Sequence, residues 1–210
     1  MKYLILMLTI ILPISLIAQD EGSVGMVVEK INSTIIKKVV KIDFTNYNGY
    51  IFPKEYGEIY FRGKKNCIDL DSNYITKIDS EIIKQYYNAK KRFMKIRYQE
   101  MLYMKGTNSD AYDWNEFRKS ERRYWRNFRK GKRKMIDKVK NSDRQYLGYV
   151  NSKGKKIILI QLVDFREDPY SLKILVDKQF IRGWHGWFYS NIVRMHYHID
   201  SRKLTVNEDF

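Results

Sequence analysis

A dense run of apolar residues, most of them β-branched or aromatic, extends from Lys156 to Phe165. It is short for a helix and hydrophobic on both alternating faces, which indicates a central strand buried on both sides. Residues 145–150 and the turn at 151–154 complete a predicted hairpin with it. Downstream, the pattern predicts strands over 172–181, 187–199 and 204–206 in an antiparallel meander.

Between about residues 80 and 105, apolar residues recur near helical spacing, and Asp79 or Ser80 is the expected N-cap of this helix. A second helix is expected to begin at the capping-box pair Asp113 and Glu116. Gly131 interrupts this second helix, and a kink or break is expected there because an interior glycine costs about 1 kcal/mol relative to alanine. The second helix carries an apolar stripe formed by Trp114, Phe117, Tyr124, Phe128, Met135 and Val139.

Upstream of the helices, an amphipathic strand is predicted over 35–44, and short strands are predicted over 57–61 and 67–70. The helices and strands are segregated along the chain rather than alternating. The predicted fold class is therefore α+β, with two amphipathic helices packed on one side of a curled antiparallel sheet that ends in the C-terminal β-meander.

The N-terminus has the pattern of an export signal. Lys2 precedes an apolar run, which ends at the small residue Ala18 shortly before Asp20. The run is shorter than the roughly 20 residues that a membrane span requires, so a secretory signal peptide over 1–18 and a single domain over 19–210 are predicted. The expected localisation is periplasmic or secreted, and the alternative is an uncleaved anchor.

Composition adds a strong positive charge and almost no cysteine. The formal net charge is +16, and Cys67 is the one cysteine, so no intrachain disulfide can form. The charge is concentrated: residues 84–140 hold 19 lysines and arginines against 6 acidic residues. A charge of this size favours an anionic partner such as nucleic acid, acidic glycan or envelope phosphates.

The second helix is the candidate site for that partner. Cations interleaved with aromatic residues such as Trp125 suit phosphate contacts combined with base stacking. In the alternative interpretation the aromatic residues belong to the core and the cations form a solvated face. The predicted anion-binding residues are Arg118, Arg122, Arg123, Arg126, Arg129, Lys130 and Arg133.

A metal site is the competing candidate. On a strand, His196, His198 and Asp200 project from one face, and imidazole and carboxylate ligands suit zinc or iron; His185 is a further possible ligand. The alternative is a polar strand face in water.

A group of acidic residues is a candidate for acid–base catalysis, although acidic loops are usually solvated. It comprises Asp164, Glu167, Asp168 and Asp177. No cofactor-binding fingerprint is present, so no cofactor is predicted.

The segment Arg144-Gln145-Tyr146-Leu147-Gly148-Tyr149-Val150-Asn151, followed by Gly154-Lys155-Lys156-Ile157, resembles uncharacterised small exported proteins of Bacteroidetes-type bacteria. The resemblance covers the last 70 residues and the leader, and it implies fold and export without a function.

The sequence supports three functional hypotheses. The first is an exported, non-enzymatic module that binds an anionic partner. The second is a metal-dependent hydrolase or nuclease that uses His196, His198 and Asp200, and the third is a structural envelope protein.

Overall fold

The computed structural model describes residues 38–106, 114–168, 170–181 and 186–206. The predicted signal peptide, Asp113 and His185 lie outside these residues. The described part of the chain forms one mixed seven-stranded sheet. Its strands are β1 (Val40–Asp43), β2 (Asn48–Ile51), β3 (Asn66–Ile68), β4 (Asp143–Val150), β5 (Lys156–Val163), β6 (Ile192–His198) and β7 (Lys203–Val206).

Helices surround this sheet. The described helices are α1 (Lys54–Tyr60), α2 (Ser72–Gly106), α3 (Trp114–Lys130), α4 (Lys132–Asn141) and α5 (Trp187–Asn191), together with a short 3-10 helix at Leu172–Leu175. None of the helices in the described ranges is both long and apolar enough to span a bilayer.

The predicted hairpin and its central strand are confirmed. β4 and β5 pair antiparallel from Asp143↔Val163 to Val150↔Lys156. Gly154 in the connecting turn has φ +71°, a conformation that glycine adopts without strain. The spatial order of the long path is β1-β2-β4-β5-β6-β7, so β5 lies inside the sheet and is buried from Ile157 onward.

The prediction of a purely antiparallel sheet is wrong, because β2 pairs parallel to β4 in the register Gly49↔Arg144. β3 pairs antiparallel to the other half of β4, in the register Ile68↔Gly148, so β2 and β3 share one edge of β4. Gly148 is required at this junction, since a Cβ there would lie 2.7 Å from the Ile68 carbonyl oxygen. The helices between β3 and β4 provide the long crossover that a parallel pairing needs.

Both faces of the sheet are covered, which corrects the prediction that helices pack on one side only. On the first face, α2 and α4 bury a cluster that includes Ile78, Ile82 and Ile160. On the second face, Tyr56 of α1 and Phe180 pack against Leu159. β5 is therefore apolar on both of its faces because each face contacts its own layer.

Three segments differ in secondary structure from the prediction. Residues 57–61 belong mainly to α1 rather than to a strand, and a Cβ on Gly57 would lie 2.8 Å from the Cys67 Sγ. Residues 172–181 form the 3-10 helix and turns, whose buried residues Leu172, Val176 and Phe180 recur every four positions. The predicted strand over 187–199 begins as α5 and becomes extended only at Ile192.

α3 begins where the sequence predicts it, at Trp114, whereas α2 begins at a different residue from the one predicted. α2 begins at Ser72, about two turns earlier, so Asp79 lies within the helix and is buried instead of capping it. The expected break at Gly131 is confirmed, because it separates α3 from α4. Backbone hydrogen bonds nevertheless continue through it, from Gly131 N to Asn127 O at 2.8 Å and from Met135 N to Gly131 O at 3.0 Å.

Candidate anion-binding surface

Two aromatic residues of α3, Trp125 and Phe128, contact α2. The ring centroids of Trp125 and Tyr98 are 6.5 Å apart, and those of Phe128 and Tyr87 are 5.4 Å apart. The Lys132 ammonium continues this side of the helix, 5.0 Å from the centroid of the Tyr87 ring. These contacts support the interpretation of the aromatic stripe as packing, and they turn Trp125 and Phe128 towards α2 instead of towards a ligand.

The opposite side of α3 and of the start of α4 is cationic and exposed. At 100° per residue, its cations occupy an arc of about 160° that excludes Trp125 and Phe128, the two residues in contact with α2. We call this surface the basic face. It comprises all seven predicted residues and two more: Arg118, Lys119, Arg122, Arg123, Arg126, Arg129, Lys130, Arg133 and Lys134, each of them exposed.

The charge of the basic face is poorly compensated. α3 and α4 together contain twelve cationic residues and three acidic ones. Within the described ranges, no residue of the basic face forms an ion pair with a described carboxylate, and Asp137 pairs instead with Arg166 at 3.5 Å. Exposed cations that lack a protein counter-ion are available to phosphate or sulfate groups.

One end of the basic face borders a shallow, open depression. It has a volume of about 550 Å3 and lies along α4, where cations surround a single aspartate. The residues that line it are Lys130, Arg133, Lys134, Ile136, Asp137 and Lys140.

Lys138 belongs to α4 but not to the basic face. Its ammonium donates to the Ser190 carbonyl and to Asn191 Oδ1 at 3.3 Å, and it lies 3.8 Å from Asp164 Oδ2. Burial lowers the pKa of Lys138, and the Asp164 carboxylate partly opposes this effect. Lys138 therefore anchors α4 to the end of α5, with the basic face directed outward.

The residues proposed as metal ligands have separate protein partners. The His196 ring lies 6.1 Å from that of Tyr149, and burial followed by the charge of His198 lowers the pKa of His196 to about 4. His198 Nε2 is 3.4 Å from Thr205 Oγ1, while Asp200 is 3.9 Å from Lys155 Nζ. Across the described residues, no group of three or more His, Cys, Asp or Glu side chains could hold a metal ion.

Two of the four acidic residues that are candidates for catalysis, Asp164 and Asp168, have structural contacts. Asp164 accepts from Arg166 Nη2 at 2.7 Å, and this hydrogen bond is the main reason that the pKa of Asp164 is lowered. Asp168 accepts from the backbone N–H of Tyr170 at 3.1 Å and from that of Lys173 at 3.0 Å. These two carboxylates stabilise the loop and the 3-10 helix.

Cys67 is half-buried beside Gly57. Burial, followed by the charge of Glu58, raises the pKa of its thiol to about 11. At neutral pH the side chain is therefore a protonated thiol, which is a poor nucleophile and metal ligand.

Comparison with known proteins adds no relative: no family model, no curated protein and no solved structure matches this chain. The functional argument therefore rests on the geometry of the basic face. The sequence-based set omitted Lys119 and Lys134, although the helical spacing that selected the other seven residues also places these two on the same arc.

Proposed function

We propose that this protein is an exported, non-enzymatic module that binds an anionic polymer through the basic face. The observation that carries the proposal is the separation of the two sides of α3. One side packs aromatic rings against α2, and the other presents nine exposed cations on a continuous arc. A polymer with repeated negative charges can contact many of these cations at once and release counter-ions from each contact.

The chemistry of the cations supports phosphate or sulfate as the bound group. Six of the nine residues are arginines, whose planar guanidinium binds an oxyanion through two parallel hydrogen bonds. Because Trp125 and Phe128 pack against α2, the basic face offers charge without a platform for stacking bases. The partner is thus contacted through its backbone charges.

The proposed export rests on the N-terminal sequence, in which Lys2, an apolar run and Ala18 have the order of a secretory signal. Outside the cytoplasm, the accessible polyanions are extracellular DNA, acidic glycans and the phosphates of the envelope. The single cysteine is compatible with an oxidising compartment, because one thiol cannot form an incorrect intrachain disulfide.

A salt series tests the proposal. Mature protein is titrated into labelled duplex DNA and into a labelled sulfated glycan at several salt concentrations. We expect the logarithm of the affinity for at least one of them to fall linearly with the logarithm of salt. The combined substitution Arg122→Glu, Arg126→Glu and Arg129→Glu is expected to weaken this binding by more than about tenfold, since each reversal removes one contact and adds repulsion.

The matched control carries Lys153→Glu, Lys173→Glu and Lys203→Glu, which reverse the same number of exposed charges away from the basic face. We expect less than about a threefold loss from this control. Equal losses from both variants would show that net charge alone acts. Absence of binding at low salt would refute the proposal and favour a basic face that is only solvated, as in a structural envelope protein.

A further inference from the structure

We infer that the anionic polymer is double-stranded DNA and that α3 lies in its major groove. This inference rests on the proposed function and deepens it, because it assigns separate tasks to different parts of the basic face. It depends on how the nine cations are distributed around the helix and on which side of the helix α2 covers.

The nine cations are evenly spaced across the arc, and we divide them into two outer rows and a middle line that is also cationic. At 100° per residue, the first row and the second row are centred about 120° apart, which places them roughly 10 Å from each other on a helix of about 12 Å diameter. The first row is Arg118, Arg122 and Arg129, the second row is Arg123, Lys130 and Lys134, and the line between them is Lys119, Arg126 and Arg133.

These dimensions match a duplex better than a single chain. The major groove of B-form DNA is about 12 Å wide, which admits one α-helix. A helix in this groove brings its two flanks towards the phosphates of the two strands, and it directs the line between the flanks at the base edges. A linear glycan is a single chain and offers no second strand to the other row.

The other nucleic acids fit less well. Proteins bind single strands by stacking the bases on aromatic side chains. In this protein, however, the ring of Trp125 already packs against Tyr98, and that of Phe128 packs against Tyr87. Double-stranded RNA has a deep and narrow major groove that side chains cannot enter. Arg126, at the centre of the exposed arc, would therefore meet base edges only in DNA.

The packing of α3 suits this mode of docking. α2 contacts α3 through Trp125 and Phe128, which lie outside the arc of the basic face, and all nine cations on the arc are exposed. From Arg118 to Lys134 the basic face extends about 24 Å along the helix. That length corresponds to about seven steps of 3.4 Å along one DNA strand.

The test compares four probes: a 20-base-pair DNA duplex, one of its strands, the RNA duplex of equal length, and a sulfated heparin fragment of similar charge. Fluorescence anisotropy at fixed salt is expected to give the tightest binding for the DNA duplex, by at least about fivefold.

Two variants then measure the contribution of each row to DNA affinity. One carries Arg118→Glu, Arg122→Glu and Arg129→Glu, and the other carries Arg123→Glu, Lys130→Glu and Lys134→Glu.

Both row variants are expected to lose DNA affinity by comparable factors, each more than about tenfold, with unchanged circular dichroism. Loss from one row alone would overturn the inference, because a groove-bound helix contacts both strands. Equal or tighter binding of heparin would also overturn it while leaving the proposed polyanion function intact. Failure of all four probes to bind would refute both.

Discussion

The guanidinium of Arg144 in β4 forms a buried ion pair with the carboxylate of Asp79 in α2. The Tyr47 hydroxyl donates to Asp79 Oδ2 at 2.5 Å, and the Tyr47 ring centroid is 4.2 Å from the Arg144 guanidinium carbon. Arg144 is 0% exposed, and it also donates to the Val139 carbonyl oxygen at 3.0 Å. This pair joins α2, α4 and the start of β2 to the centre of the sheet.

Replacing Asp79 by asparagine should strongly destabilise the fold. The substitution keeps the side-chain shape but leaves the buried Arg144 charge without its counter-charge, which typically costs about 3–5 kcal/mol. Urea denaturation should show this loss in the free energy of unfolding. Asp200→Asn is the control, because Asp200 is exposed and its ion pair is solvated. A loss below about 1 kcal/mol for Asp79→Asn would contradict this role of the pair.

Gln161→Leu should loosen the segment that contains the 3-10 helix. Gln161 Nε2 donates to Gln145 Oε1 at 2.8 Å and to the Ile181 carbonyl oxygen at 2.6 Å. Gln145 Nε2 in turn donates to the Val176 carbonyl oxygen at 2.8 Å, so the two amides tie this irregular segment to the sheet. Removing the Gln161 amide should cost about 1–3 kcal/mol.

Hydrogen exchange can localise this effect. We expect amides over residues 176–181 to exchange faster in Gln161→Leu, while those of β5 change less. Gln99→Leu, at an exposed position of α2, provides the comparison. Unchanged exchange over 176–181 would mean that apolar packing alone holds the segment.

His196 should make stability depend on pH between about 6.5 and 4. Burial lowers the pKa of this imidazole from its ordinary 6.5 to about 4, so in that window the unfolded chain binds a proton that the folded chain does not. The free energy of unfolding should therefore be highest above pH 6.5. It should fall as the pH decreases from 6.5 to 4, by up to about 3 kcal/mol.

His196→Gln should flatten this pH dependence, and an NMR titration of the His196 ring should give a midpoint near 4. The loss caused by protonation of Asp164, whose pKa is lowered mainly by Arg166, belongs to more acidic conditions. A His196 midpoint near 6.5 would show that the ring is open to solvent.

Tyr124→Ala should leave DNA affinity within about twofold. Tyr124 is 39% exposed, but it lies on the aromatic side of α3, beside Trp125 and Phe128. Stacking of a base on this ring would be worth about 1–3 kcal/mol, so its removal would then lower affinity for single strands by about tenfold. Anisotropy with duplex and single strand distinguishes the two cases.

Expression of the full chain with an export pathway should yield a shortened protein. We expect cleavage after Ala18 or Gln19, because the apolar run ends there and polar residues follow. Mass spectrometry of the intact exported protein measures the new N-terminus. An uncleaved chain recovered in the membrane fraction would indicate that the segment is retained as an anchor.

The hairpin of β4 and β5 and the position of β5 inside the sheet could be predicted from sequence. Their signals are local: an uninterrupted apolar run, a turn with glycine at Gly154, and neighbouring strands at short distance. The arc of the basic face could be predicted for the same reason, since helical periodicity alone places Arg118 and Arg133 on one side of α3 and α4.

Other features depended on contacts between distant residues. The parallel pairing of β2 with β4 follows a long helical crossover, and the local pattern of Asn48–Ile51 does not encode direction. The spacing of Leu172, Val176 and Phe180 fits a helical turn, but their β-like neighbours favoured a strand. The segment is anchored by distant contacts, in which the Phe180 ring packs against Phe52 and Tyr56.

By itself, then, the sequence determined the class of the fold, its central strand and the cationic side of α3, because each depends on periodicity within one segment. Tertiary structure decided that Asp79 pairs with Arg144 instead of capping a helix, and that His196, His198 and Asp200 have separate partners. Residues far apart along the chain settle such contacts by competing for burial and for hydrogen bonds, and no local spacing records the outcome.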